Sequence, residues 1–407
     1  MMRAEAIIAC AEKEAADIFQ KIDETEFENQ KRVVAAFSNN RVSTRHFAPT
    51  YGYGYSDIGR DTFESVFAEA MFCEAAIARL HILSGTHAIY MALDGLLNSN
   101  DTIVFATGVP YDTLKTAIEH ERSFKSRGVN CVTVDLLENG NIDVECVLHA
   151  VKSTNARIVY VQRSRGYSWR NSILPGEMEG LFSAVRNISQ DIITFVDNCY
   201  GEFVCDVEPT CFGADIIAGS MIKNPGGGFA PTGGYIAGKE KLIEQLEHRL
   251  TAPAIGREIG SYAGSYLPLY QGLFMAPHAT AQALKTAVLF SKAFELMNLE
   301  TSPKSDSIRS DIVQAVKFKD EKSLVRFCQV VQSVSPIDAF AIPEPSDMPG
   351  YEHKVIMAAG TFVQGATIEL SADGPIRPPY TAYIQGALTY SHGKYAALKC
   401  VESLLEG

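Results

Sequence analysis

The 407-residue chain has no C-x-x-C pair, and its nine cysteines, Cys10, Cys73, Cys131, Cys146, Cys199, Cys205, Cys211, Cys328 and Cys400, are odd in number and scattered. Zinc-like ligand spacing is missing, and the thiols are expected to be mostly buried groups in a reducing cytosol. Basic residues are in deficit, with 36 Lys and Arg against 48 Asp and Glu and a formal charge of -12. The positive field that holds a phosphate backbone is therefore lacking, and nucleic acid is not an expected partner. No window reaches the roughly eighteen consecutive apolar residues of a spanning helix, and the acid-studded N-terminus lacks the unbroken apolar stretch of a signal peptide. A cytoplasmic protein without membrane association is expected. The nine histidines form no H-E-x-x-H and the acids form no calcium loop, so no metal ligands are named.

What the chain does have is a globular composition, 46% hydrophobic and 21% charged, and enough length for one large α/β domain with a smaller one. Residues 2–38 show the three- and four-residue steps of amphipathic helices, and the glycines and tyrosines of 51–59 predict an irregular loop. A helix follows, with Asp61 as its expected N-cap. From residue 78, short apolar runs at 78–84, 101–107, 130–136, 156–162, 191–197 and 214–220 alternate with helical patterns. That rhythm predicts a mainly parallel sheet covered on both faces, with ligands beyond the carboxyl ends of its strands. A helix-rich stretch to about residue 300 precedes candidate strands at 327–334, 353–362 and 366–371 and a closing helix over about 381–405. The expected division is an N-terminal helical segment with a loop (1–60), a large α/β domain (61–250), and a long helix with a smaller α+β domain (251–407).

The predicted strand ends carry the chemistry. Lys223 follows the run 214–220 and precedes Gly226, Gly227 and Gly228, an order that rules out a Walker loop. Burial disfavours an ammonium, so a lysine held there becomes a nucleophile toward carbonyls; a plain surface lysine before a turn is the alternative. Asp197 ends the run 191–197, twenty-six residues earlier. If buried it needs a cationic partner, which a pyridinium nitrogen supplies, while a helix N-cap suits the position equally. Ser84, Gly85 and Thr86 open a helix whose free N–H groups and dipole suit a phosphate, although an ordinary serine cap accounts for them too. Tyr111, at another strand end, can stack on a planar ring or simply pack. A phosphate seat, a stacking aromatic, an aspartate for a ring nitrogen and a lysine for an aldehyde together specify pyridoxal 5′-phosphate.

The order of these residues resembles that of the fold type I enzymes of this cofactor. The segments YGYGYSDIGRDTFE (51–64), LSGTHAI (83–89), QRSRGYSWR (162–170), FVDNCYGEF (195–203), SMIKNPGGGFAPTGGYIAG (220–238) and ELSADGPIRPPY (369–380) resemble the cystathionine and methionine lyase branch. Within it the chain is most similar to the bacterial methionine γ-lyase-like or aluminium resistance family. The resemblance implies that Lys223 holds the cofactor aldehyde and later acts as general base, and that Asp197 pairs with the pyridine nitrogen. Gly85 and Thr86, after Ser84, would donate backbone N–H groups to the phosphate, with Ser220 adding its hydroxyl. Tyr111 would stack on the ring and handle a proton, and Arg377 would clamp the substrate α-carboxylate. A homodimer or homotetramer is also implied, in which the loop around Tyr53, Tyr55 and Arg60 completes the neighbouring subunit's phosphate site. The sequence departs from the branch at two points: the Tyr-x-Arg spacing is absent from GYGYSDIGR, and Ile222 replaces the hydroxyl residue before the lysine.

The implied activity is carbon–sulfur elimination from a sulfur-containing amino acid, of cystathionine β-lyase or methionine γ-lyase type, giving a 2-oxo acid, ammonia and a thiol. Transamination, aldol cleavage and racemisation share the early chemistry and are the enzymatic alternatives. A non-catalytic metal or aluminium stress-response protein is the alternative from another class. Arg163, Arg165, Trp169 and Arg170 are either substrate contacts or an ordered, charged loop.

Overall fold

The computed structural model describes residues 4–348 and 350–406. Two helices, α1 (Ala4–Glu14) and α2 (Ala16–Asn39), lead through the loop to α3 (Ile58–Ala70). The α3 start differs from the expected one, because the Asp57 carboxylate accepts the Gly59 and Arg60 N–H groups and caps the helix. Asp61 instead pairs with the Arg60 guanidinium at 2.8 Å.

A seven-stranded sheet follows, built from β1 (Ala75–Arg79), β2 (Thr102–Phe105), β3 (Asn130–Thr133), β4 (Ile158–Gln162), β5 (Ile193–Asp197), β6 (Ile216–Ser220) and β7 (Gly234–Gly238), in the order β1-β7-β6-β5-β4-β2-β3. Strands β2 to β6 pair in parallel, whereas β7 lies antiparallel between β6 and β1. The sheet is thus mainly parallel, as expected, with one strand in the glycine-flanked 234–238 segment that apolar runs alone do not flag. Helices α4 (Gly85–Leu96), α5 (Asp112–Glu119), α6 (Val144–Thr154), α7 (Glu179–Ile188) and α8 (Glu240–Leu250) cover it.

Period-two alternation sorts the strand residues. Val104, Val159, Val161, Val196 and Ile217 share a core with α3 and α7, while Ile103, Tyr160, Phe195 and Ala218 share another with α4 and α8. Both sheet faces are therefore buried, which is why the runs read as continuously apolar.

The long helix α9 (Leu267–Leu296) packs on α2 and α1, and leads to a five-stranded antiparallel sheet. Its strands are β8 (Thr301–Ser302), β9 (Gln314–Lys317), β10 (Val355–Ala358), β11 (Ser371–Pro375) and β12 (Thr381–Gln385), in the order β10-β11-β12-β9-β8, with α10 (Glu321–Ser333) and α11 (Tyr390–Glu406) against them. Ile7, Ile8 and Ala11 of α1 belong to the core of this sheet, so the chain's first helix is built into its last layer.

Three expectations fail here. Most of 327–334, read as a strand, lies in α10, where Leu324, Phe327, Cys328 and Val331 bury one face at helical spacing and the Asp320 side chain caps the start. The period outweighs the β preference of the valines. Segment 366–371 is largely loop, and the strand lies one step later in Ser371–Pro375. Residues 381–385, read as helix, form β12, and α11 begins at Tyr390. Among the described residues no helix is long and apolar enough to cross a membrane.

Candidate active site

The alternation that fills the core also aims the chemistry. On the α4 face Tyr160, Phe195 and Ala218 are buried, so two residues on, at the carboxyl ends of β4, β5 and β6, Gln162, Asp197 and Ser220 point the same way. All three line one cavity of about 410 Å³. Ser84, Gly85, Thr86, Tyr111 and Lys223 also line it, so seven of the sequence-predicted positions converge with Gln162 at one place once Asp197 and Ser220 are included.

The α4 helix opens directly into this cavity. The Ser84 hydroxyl takes the His87 N–H at 3.1 Å and its carbonyl takes the Ala88 N–H, which leaves the Gly85 and Thr86 N–H groups as the helix's free donors. A Cβ added at Gly85 would stand 3.2 Å from both the Cys199 sulfur and the Ser220 Cβ, so the helix start is tucked against the ends of β5 and β6. Such a seat fits a phosphate.

Asp197 is buried. Its Oδ1 accepts the Cys199 N–H and its Oδ2 accepts the Tyr160 hydroxyl, each at 3.1 Å. Burial pushes the carboxyl up, against the lowering effects of Lys223 and these two donors. The Tyr111 N–H donates to Gln162 Oε1 at 2.9 Å, and its hydroxyl shares a hydrogen bond of 2.9 Å with Thr86. Burial raises that phenol well above its ordinary range, which keeps it neutral.

Lys223 lies three residues beyond the end of β6, and its Nζ is 3.8 Å from the centre of the Tyr200 ring. The next residue anchors it: Asn224 Nδ2 donates to the carbonyls of Tyr200 and Glu202 at 3.0 and 2.9 Å. The sequence expectation that burial would lower the lysine is reversed. Burial does pull the ammonium down, but the acidic groups facing it, the Asp197 carboxylate among them, outweigh that, and the net shift is upward. The glycines after it serve packing. A Cβ on Gly227, which has φ of 53°, would stand 2.3 Å from the Gly272 carbonyl of α9.

Other expected residues do not reach this chain's cavity. Arg377 is exposed on the turn between β11 and β12 and is not among the lining residues. Tyr53 and Tyr55 stand out in solvent, 68% and 67% exposed, with ring centres 5.6 Å apart. Arg60 is buried and committed to Asp61 and to the carbonyls of Gly54 and Gly260. None of Arg163, Arg165, Trp169 and Arg170 lines the cavity. Arg163 donates to Asn198 at 2.6 Å, Arg165 to the Ser302 carbonyl at 2.7 Å and Arg170 to the Ser164 carbonyl at 2.6 Å, while Trp169 lies under Lys317. They form an ordered loop that joins the two sheets.

Sequence reasoning missed Gln162, Cys199, Tyr200, Tyr167, Tyr351, Asp373, Tyr383 and Gln385, all cavity residues. A signal existed for Asp373, since an aspartate inside a strand is disfavoured without a reason. Tyr167, Tyr351 and Tyr383 come from three separate segments, and nothing local announces their meeting. Among the described residues no group of three or more His, Cys, Asp or Glu is placed to hold a metal ion.

The residues present fit pyridoxal 5′-phosphate: free helix donors and Ser220 for the phosphate, Tyr111 for the ring, Asp197 for its nitrogen and Lys223 for the aldehyde. Comparison with known proteins agrees. Uncharacterized protein YnbB of Bacillus subtilis is 48% identical over 97% of this chain and 95% of its own length. A "putative cystathionine beta-lyase involved in aluminum resistance" from Listeria monocytogenes is 46% identical with a TM-score of 0.95, covering 98% of this chain and 99% of that one. A carbon-sulfur lyase involved in aluminum resistance from Clostridium novyi is 44% identical with a TM-score of 0.95, covering 98% and 96%. The pyridoxal-5′-phosphate dependent protein YhfS from Escherichia coli, 16% identical with a TM-score of 0.64 over 95% and 97% of the two chains, shares the fold alone. A family model described as methionine gamma-lyase matches residues 4–405. The chain belongs to the methionine gamma-lyase family.

Proposed function

We propose that this protein is a pyridoxal-phosphate-dependent carbon–sulfur lyase acting on a sulfur-containing amino acid. The observation that carries the reading is the convergence of Lys223, Asp197 and the open end of α4 on one cavity. When bound, the cofactor supplies an electron sink for charge developed at the substrate Cα. Gly85, Thr86 and Ser220 hold its phosphate and Tyr111 packs on its ring.

Asp197 holds a proton on the ring nitrogen, and the Tyr160 and Cys199 donors keep the carboxylate ionised for that task. Pairing with that proton compensates the Asp197 charge and so weakens one of the attractions that raise Lys223. Lys223 Nζ then takes the proton from the substrate Cα. The Tyr111 hydroxyl, neutral and held by Thr86, donates a proton to the departing sulfur. One water is consumed, and the products are a thiol, a 2-oxo acid and ammonia.

The exposed Tyr53 and Tyr55 support a second copy of the chain as partner, with Tyr55 reaching the neighbouring phosphate seat. Arg377 keeps its proposed role at the substrate carboxylate only if the turn that bears it moves toward the cavity. The test of the lyase reading is product analysis with a panel of S-substituted cysteines and homocysteines. Equimolar thiol and 2-oxo acid support it, while conversion of the substrate to its keto acid without thiol release contradicts it.

A further inference from the structure

Asp373 is a buried carboxyl that the proposed chemistry leaves unused. It sits inside β11, paired in register with Met357 of β10 and Tyr383 of β12, and all three line the cavity. Lys223 enters the same cavity from the seven-stranded sheet, so the two groups belong to different layers of the fold. Around Asp373 the walls are aromatic: the Tyr167 ring centre lies 5.0 Å from that of Tyr383 and 5.6 Å from that of Tyr351. Burial pushes the carboxyl up to about 7, with Tyr167 opposing the shift.

A carboxylate facing open space between phenol rings is a cation seat, since the charge and the ring faces attract the same ligand. The substrate's α-ammonium is engaged at the Lys223 end, so Asp373 is left for a second cation. An uncharged alkyl arm gives the carboxyl no charge partner and forgoes this attraction, because ionising the buried group there is costly. We infer that Asp373 is a specificity residue that selects substrates whose sulfur-borne arm ends in an ammonium. The identification of that arm as sulfur-borne rests on the lyase reading above; the preference for a second cation does not.

The test compares S-(2-aminoethyl)-L-cysteine with S-propyl-L-cysteine, which differ only in ammonium against methyl at the tip. The holoenzyme is expected to favour the first by about tenfold or more in kcat/KM, the size of a charge-assisted hydrogen bond. Asp373→Asn removes the preference, and Asp373→Glu, which keeps the charge, retains part of it. Calorimetric binding of L-lysine against L-2-aminoheptanoate, which have no C–S bond to break, should show the same bias. A binding bias without thiol release from any substrate overturns the lyase reading and leaves the Asp373 assignment standing. Thiol release without the bias, or equal loss on both substrates in Asp373→Asn, overturns the Asp373 assignment.

Discussion

The Tyr160 hydroxyl donates to Oδ2 of Asp197 at 3.1 Å, from β4 to the adjacent strand β5. That bond favours the ionised carboxylate, the form a protonated ring nitrogen needs. Removing it in Tyr160→Phe forfeits a hydrogen bond to a charged group, roughly 1.5–3 kcal/mol, and raises Asp197 further. The acid limb of the kcat/KM profile should move to higher pH. An unmoved limb would show that Tyr160 does not tune the carboxylate.

Glu202 gives a stability prediction with a defined sign. Burial pushes its carboxyl up to about 8, and Tyr235 donates to Oε1 at 2.7 Å. The folded protein therefore keeps this proton over a range where the unfolded chain, at about 4.3, has lost it. Stability contributed by the group is complete below the unfolded value and falls away as pH rises toward 8. Glu202→Gln should flatten the decline in melting temperature between pH 5 and pH 8. A variant that declines as steeply as the parent contradicts the assignment.

Two glycine substitutions should act in opposite directions. Gly227→Ala places a Cβ against the Gly272 carbonyl in a left-handed residue and should cost roughly 1–3 kcal/mol of stability. Gly180, in α7, has nothing within 4 Å of its added Cβ, so Gly180→Ala should stabilise by about 0.5–1 kcal/mol. Denaturant titrations of both variants check the pair.

The parallel sheet was readable because β4, β5 and β6 are buried on both faces and therefore continuously apolar. The polar last residues of β5 and β6, Asp197 and Ser220, marked the site for the same reason. The antiparallel sheet was harder to read. In β11 Asp373, Gly374 and Pro375 imitate a turn, and α10 carries three valines that imitate a strand. Arg377 stood out beside its prolines, but those prolines make a turn that carries it outward. The tyrosine wall depends on contacts between distant segments, which no local pattern encodes.

If Tyr55 serves the neighbouring subunit, two inactive variants should rescue each other. A mixed dimer of Lys223→Ala and Tyr55→Ala has one intact site, so subunit exchange should restore about a quarter of parental activity on statistical grounds. No recovery after demonstrated exchange would place Tyr55 outside the partner's site.

The proposed bond between Lys223 and the cofactor aldehyde is open to direct chemical trapping. Protein loaded with pyridoxal 5′-phosphate, reduced with borohydride and digested, should carry the pyridoxyl group on the peptide containing Lys223. A label on another lysine, or none at all after demonstrated loading, would contradict the account.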